Sequence, residues 1–248
     1  MLGRMTSNRG TFKRTAHRLT SAAAGALLAG LSLGAAPAQG AEGTAPLPEF
    51  DFSACPTVDE LPADADPGTW RCEVMHATGH LRMGAVDEPL TEPMKIAFAE
   101  GRVDGEFRQV FGEMAAAPVR VGRTPLTLTP QYGGYSDFLS DDTRRGEFDI
   151  TFAIGAARVL PALPSSGCSV GSNEDAVHLV LKDTAPTRVL SKDPLIVAFS
   201  AQDTEFAAPG TSGCGRLNRA FDRVLDLPSA AGSNAFDMDV TVAIRPYA

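Results

Sequence analysis

No Cys-x-x-Cys pair, phosphate-binding glycine loop or dinucleotide fingerprint occurs anywhere in the 248 residues. Dithiol redox exchange, nucleotide hydrolysis and hydride transfer on a bound dinucleotide therefore have no support in the chain, and no cofactor is expected. No pair of catalytic carboxylates stands out either. Two acids can be brought together by any fold, so that absence only weakens glycoside chemistry. The sequence also lacks internal repeats and any low-complexity segment beyond its N-terminus.

Long apolar runs are missing except one, Ser21 to Gly34. At about 14 residues it falls short of the roughly 20 that a bilayer-spanning helix needs. Arg4, Arg9, Lys13, Arg14 and Arg18 precede it, and Ala36-Pro37-Ala38 follows as a small-x-small cleavage motif. That order reads as an export signal over residues 1–38, cleaved after Ala38 or two to three residues later. Lys13-Arg14 gives only weak support to a twin-arginine route. Cys55, the first cysteine, lies too far downstream to be a lipid-modified N-terminus. The mature chain is expected to be secreted, extracellular or envelope-associated, with no transmembrane segment.

Removing the five basic residues of the signal takes the formal net charge from −8 to −13. An acidic surface of that size repels phosphate backbones and anionic lipid surfaces, so nucleic acid is not an expected partner. Four cysteines, all beyond the signal, suit an oxidising compartment and two disulfides. Of three possible pairings, Cys55 with Cys72 and Cys168 with Cys214 is chosen because it closes two self-contained loops. In the loop-entropy picture these contribute roughly 3 and roughly 4 kcal/mol.

Residues 39–69 read as a flexible tail and then an irregular loop punctuated by Pro56, Pro62 and Pro67. From residue 70 to 248 the chain is expected to form one domain, and its dominant signal is strand alternation. Met75, Ala77, Leu81 and Met83 share one face, opposed by His76, Thr78, His80 and Arg82. Met94, Ile96 and Phe98 alternate with Lys95, Ala97 and Ala99, and Asp104-Gly105 marks a hairpin turn into Phe107–Met114. Val119–Val121 and Leu126–Thr129, bounded by prolines, belong at a sheet edge, because proline cannot donate to a ladder. Residues 131–146 read as a long loop, which is uncommon unless functional or mobile. Phe148-Ile150-Phe152-Ile154, Val177-Leu179-Leu181, Leu195-Val197-Phe199 and Phe236-Met238-Val240-Val242-Ile244 complete the set.

The expected fold is all-β: a two-sheet antiparallel β-sandwich of about eight to ten strands. One exception is Leu217 to Leu227, where Leu217, Phe221, Val224 and Leu225 form a helical stripe that Pro228 stops. This short amphipathic helix is expected to cap an open end or edge of the sandwich.

Four constellations invite chemistry. Gly167-Cys168-Ser169-Val170-Gly171 matches the Gly-x-Ser-x-Gly elbow of serine hydrolases. That elbow needs a strand before it and a helix after it. Here Pro161 and Pro164 precede the match, a strand follows, and His178 is the only downstream histidine. His76 and His80 have a metal-ligand look, but on a strand their Cα atoms stand about 13 Å apart unless Gly79 bulges the chain. Asp137, Asp141 and Asp142 offer oxygens for calcium, opposed by Arg144 and Arg145, without the spacing of a known calcium loop. Tyr132 and Tyr135 put two of three tyrosines in a glycine-rich stretch that, with Asp137, could face a glycan or protein partner. The plainer expectation is that both rings lie back on the sheet, and that Trp70 packs in the core against the Cys72 disulfide.

The C-terminal third resembles a group of uncharacterised secreted, β-rich proteins of actinobacteria. The likeness rests on Cys168-Ser169-Val170-Gly171-Ser172, on Phe206 to Gly215, and on Leu225-Asp226-Leu227-Pro228-Ser229 through Ala235. It implies export and a β-rich body, with no assigned activity and no catalytic residues to carry over, and Asp226 stands where the pattern has glycine. The resulting expectation is a non-catalytic binding or envelope-associated structural protein, taking an apolar ligand between its sheets or a partner at residues 132–145. Cell-wall material, glycans, lipids and proteins are the candidate partners. The competing class is a secreted hydrolase using Ser169 with His178, or an unrecognised carboxylate pair.

Overall fold

The computed structural model describes residues 47–156 and 167–247. The expected export signal, its cleavage site, the start of the tail, Pro161 and Pro164 lie outside the described residues. The strands are β1 (Arg71–Met83), β2 (Val86–Pro89), β3 (Met94–Val103), β4 (Glu106–Ala115), β5 (Val119–Arg120) and β6 (Leu126–Asp137). They continue with β7 (Gly146–Ala156), β8 (Ser169–Val170), β9 (Val177–Lys192), β10 (Leu195–Asp203), β11 (Thr211–Ser212) and β12 (Ala235–Pro246). The only α-helix among the described residues, α1 (Asn218–Leu225), precedes β12.

The fold is all-β and antiparallel, with that one short helix near its C-terminus. Its main strand order is β11-β8-β7-β9-β10-β12-β1-β3-β4, with β2 joined to β1, and β6 and then β5 joined to β7. The long strand β9 links two halves. Val177–Leu181 pairs with β7, whereas Lys182–Lys192 pairs with β10. Met75, Ile96, Phe98 and Val240 from one half share a single buried core with Phe148, Ile150 and Leu179 from the other. The expected two layers are thus the halves of one continuous sheet turned over on itself.

Alternation places that core. Because side chains along a strand point to alternate faces, Met75, Ala77, Leu81 and Met83 of β1 all enter it, as do Met238, Val240 and Val242 of β12. The β1–β12 ladder runs from Arg71↔Pro246 to Arg82↔Ala235 without a register shift. The β3–β4 hairpin turns at Asp104 and Gly105, with φ of 52° and 83°, the two positive angles that a tight hairpin turn requires.

Four expectations need correction. Residues 131–146 are not all loop, since β6 continues to Asp137. Gly133, Gly134 and Tyr135 bulge between the pairs Tyr132↔Ile150 and Ser136↔Phe148, and Gly134, at φ 108°, absorbs the bend without ending the strand. On β10 the expected set faces the core without being fully buried: Val197 and Phe199 are half-buried against it and Leu195 is exposed, while Ile196 and Ala198 of the other parity are buried outside it. The helix is shorter than its stripe, for Phe221 and Leu225 are buried but Leu217 and Val224 are exposed. Lastly, Phe50 and Phe52, read from sequence as part of the tail, pack against Cys72, Val74 and Ala97.

Both disulfides join the expected partners. Cys55–Cys72 ties the N-terminal segment to β1, and Cys168–Cys214 ties β8 to the turn before α1. Trp70 is buried as expected, although its neighbours are Leu61 and Ala99 and not the disulfide. A Cβ on Gly101 would stand 2.5 Å from the Trp70 ring, so this indole needs a glycine beneath it.

The two ends of the sheet differ. At the C-terminal end of β1, the Ala85 amide donates to the Leu225 carbonyl at 2.8 Å, and Phe221, Leu225 and Leu227 join the core. The Asp222 carboxylate holds α1 to β11 by accepting from the Thr211 amide and hydroxyl at 2.7 and 2.8 Å. Helix α1 therefore plugs one end, the capping role expected of it. The other end, at the start of β1, has no such plug among the described residues.

Candidate functional site

The unplugged end contains a cavity of about 870 Å³. Met75, Phe98, Leu181, Val197, Phe199 and Val242 supply an apolar wall drawn from both halves of the sheet. Val197 and Phe199 are half-buried because they face this space, which accounts for the unexpected pattern on β10.

The polar side of the cavity follows from strand parity. Stepping back by twos from Met75 along β1 reaches Glu73 and then Arg71, and stepping forward from Phe98 along β3 reaches Glu100. Arg71 lies directly across the ladder from Glu100. Its guanidinium consequently serves two carboxylates, donating from Nε to Glu73 Oε1 at 2.9 Å and from a terminal nitrogen to Glu100 Oε1. Gln109 Nε2 donates to Glu100 Oε2 at 3.0 Å, while its own Oε1 accepts the Phe138 amide at 2.8 Å. The network therefore locks the β6–β7 connection onto the carboxylate pair.

One guanidinium cannot neutralise two buried acids. The Glu73 and Glu100 side chains are only 12% and 9% exposed. Burial and the adjoining Glu100 carboxylate push the Glu73 carboxyl up to about 8, so near neutrality it keeps its proton. Across the opening, Arg145 is held bidentately by Asp183 at 2.7 and 2.5 Å, donates to Thr187 at 2.8 Å, and lies 4.6 Å above the Phe199 ring.

The residues singled out from sequence lie elsewhere. Tyr132 stacks on Phe111, with ring centroids 3.6 Å apart and planes 7° apart, and so closes β6 against β4. Tyr135 is exposed and donates to Glu147 Oε1 at 2.6 Å, a bond that, ahead of other causes, pushes its phenol up to about 12. Asp137 accepts from Arg144 at 2.6 Å. Asp141 is held at about 2 by the Thr143 hydroxyl and by the Thr143 and Arg144 amides, while Asp142 is exposed. The expected partner stretch does reach the cavity, but through Phe138, Leu139, Ser140 and Arg145. Among the described residues no group of three or more His, Cys, Asp or Glu is arranged to hold a metal ion.

The paired motifs do not assemble. Ser169 lies opposite Ala153 and His178 opposite Asp149, four positions apart on β7 and therefore about 13 Å along the strand. Ser169 Oγ donates to the Gly171 carbonyl at 2.7 Å, and His178 Nδ1 pairs with Asp149 at 2.7 Å. Ser169 lies within the short strand β8, and among the described residues the next element after it is strand β9, where an elbow needs a helix. His76 and His80 stay on a β1 ladder that runs through Gly79 unbulged. His76 is buried beneath Phe50, at 4.6 Å between rings, and His80 pairs with Asp87 at 2.6 Å.

No family model, curated protein or solved structure matches this chain. Its cavity is therefore interpreted on its own chemistry. Sequence reasoning missed Glu73 and Glu100 because no local motif marks them. The usable signal was parity, since each extends an inward-facing apolar series by one step.

Proposed function

We propose that this chain is an exported, non-catalytic binding protein that holds an apolar or amphipathic small molecule between the two halves of its sheet. The carrying observation is the cavity itself. Its volume of about 870 Å³ falls within the range of small-molecule pockets, and it combines apolar walls with a small set of convergent polar groups. The N-terminal signal pattern and the paired cysteines support action in an oxidising compartment. Among the described residues no helix is long and apolar enough to cross a membrane.

The hydrolase alternative draws less support. Glu73 and Glu100 share the single Arg71 guanidinium. Carboxyls that flank a glycosidic bond stand about 5 Å or more apart, with the sugar between them.

Titrating the purified mature protein with lipids, glycans and cell-wall fragments by calorimetry tests the reading. Saturable binding of lipid-like molecules is expected, and it should fall at least roughly tenfold in Val197→Trp, which fills the cavity with an indole. Failure of every amphiphile to bind the folded protein would overturn the proposal.

A further inference from the structure

The wall of the cavity carries more acid than base, and the basic groups it has are largely engaged. Arg71 is shared by Glu73 and Glu100, and Arg145 is saturated by Asp183. At the exposed rim, Asp64 and Asp66 face a single cation, Arg102. Counting Asp183, five acids stand against three arginines. Apart from Arg102 on the exposed rim, a carboxylate or phosphate headgroup entering the cavity would have to displace an acid already bound to Arg71 or Arg145. At Arg71 it would also strip a buried glutamate of its cation, a cost that favours other heads.

We infer that the cavity selects an amphiphile with a cationic, amine-type head, its apolar chain lying along Met75, Phe98, Val197 and Val242 and its ammonium group meeting Glu73 and Glu100. Such a head takes the place of the proton that Glu73 keeps near neutrality, letting both carboxylates ionise between two cations, and its N–H groups donate to carboxylate oxygens left over from Arg71. The raised Glu73 carboxyl agrees with this, since burial first and the adjoining Glu100 second keep it protonated until a further cation joins Arg71. The inference rests on the binding reading above and adds the headgroup class to it.

Dodecylammonium, dodecanoate and dodecanol, matched in chain and kept below micelle-forming concentrations, separate the possibilities by calorimetry near pH 7. Dodecylammonium should bind roughly tenfold tighter than either of the others, the scale of one desolvated charge-assisted hydrogen bond. Glu73→Gln with Glu100→Gln should remove that preference while leaving dodecanol binding in place. Glu113→Gln takes one charge from an exposed position outside the cavity lining, matching the loss in the cavity variant where Glu73 is already protonated, and should keep the preference. Equal or tighter binding of dodecanoate by the unmodified protein overturns the inference but leaves the cavity reading standing, and this holds whether or not the double variant folds. A preference that survives the cavity variant, or that falls as much in the exposed-site control, also overturns it, because the attraction would then come from the acidic surface at large. Binding of no amphiphile at all overturns both readings.

Discussion

The two ends of this sheet are built from the same strands and finished in opposite ways. Along β1, the inward series runs Arg71, Glu73, Met75, Ala77 and then Leu81 and Met83, so one strand passes from ionised to apolar within its length. At the apolar end, α1 lays Phe221 and Leu225 onto the core and the Ala85 amide seals the contact. At the ionised end the inner face has charge to hydrate and, among the described residues, no α-helix covers it, and there a cavity opens. The difference shows how a regular alternation, closed by packing at one end, opens into a cavity at the other simply by changing the residue type on the same face.

Four measurements would break or sharpen that contrast. Leu225→Ala, at a fully buried position, should cost about 3 kcal/mol in urea unfolding, since the plug cannot relax into the space left. Confined to the open end is a pH effect. The folded chain holds a proton on Glu73 up to about 8, whereas an unfolded glutamate releases it near 4.5. The native state thus binds more protons between those values, so stability should fall as pH rises from about 5 to 9. Glu73→Gln should flatten that slope, and a slope unchanged by the substitution would separate the cavity cluster from pH sensitivity. Val197→Ala should cost less than about 1 kcal/mol, because its side chain already borders open space; a loss as large as that of Leu225→Ala would mean the cavity wall is packed like the plug. Least of all, Asp226→Gly should gain about 0.5 kcal/mol, since Asp226 closes α1 in a left-handed conformation, φ 55° and ψ 52°, that glycine adopts without strain.

Much of the fold was legible residue by residue. The inward faces of β1, β3, β7 and β12 followed from period-two patterning, which is strongest where one face is fully buried. The β3–β4 turn followed from Asp104-Gly105, because few dipeptides accept two positive φ angles. The misreadings share a cause. The inward face of β10 read as fully packed because Val197 and Phe199 are apolar yet border a cavity, and composition alone does not distinguish a packed wall from a hollow one. The stretch 131–146 looked like loop because Gly133 and Gly134 resemble a break, although a bulge uses them to keep β6 in the sheet. Tyr132, Tyr135 and Asp137 stood out for residue type, and each proved to have its partner in Phe111, Glu147 or Arg144.

By itself the sequence determined the strand class, the faces of the best-patterned strands, the number of disulfides and the presence of a capping helix, while the choice among three cysteine pairings waited on the fold. These depend on short-range periodicity, on turn chemistry and on cysteine number, all of which are local. Only the tertiary structure decided that Glu73 and Glu100 meet on one guanidinium. That meeting depends on the register of β1 against β3, and on the way β9 turns the sheet over to enclose the space in front of them.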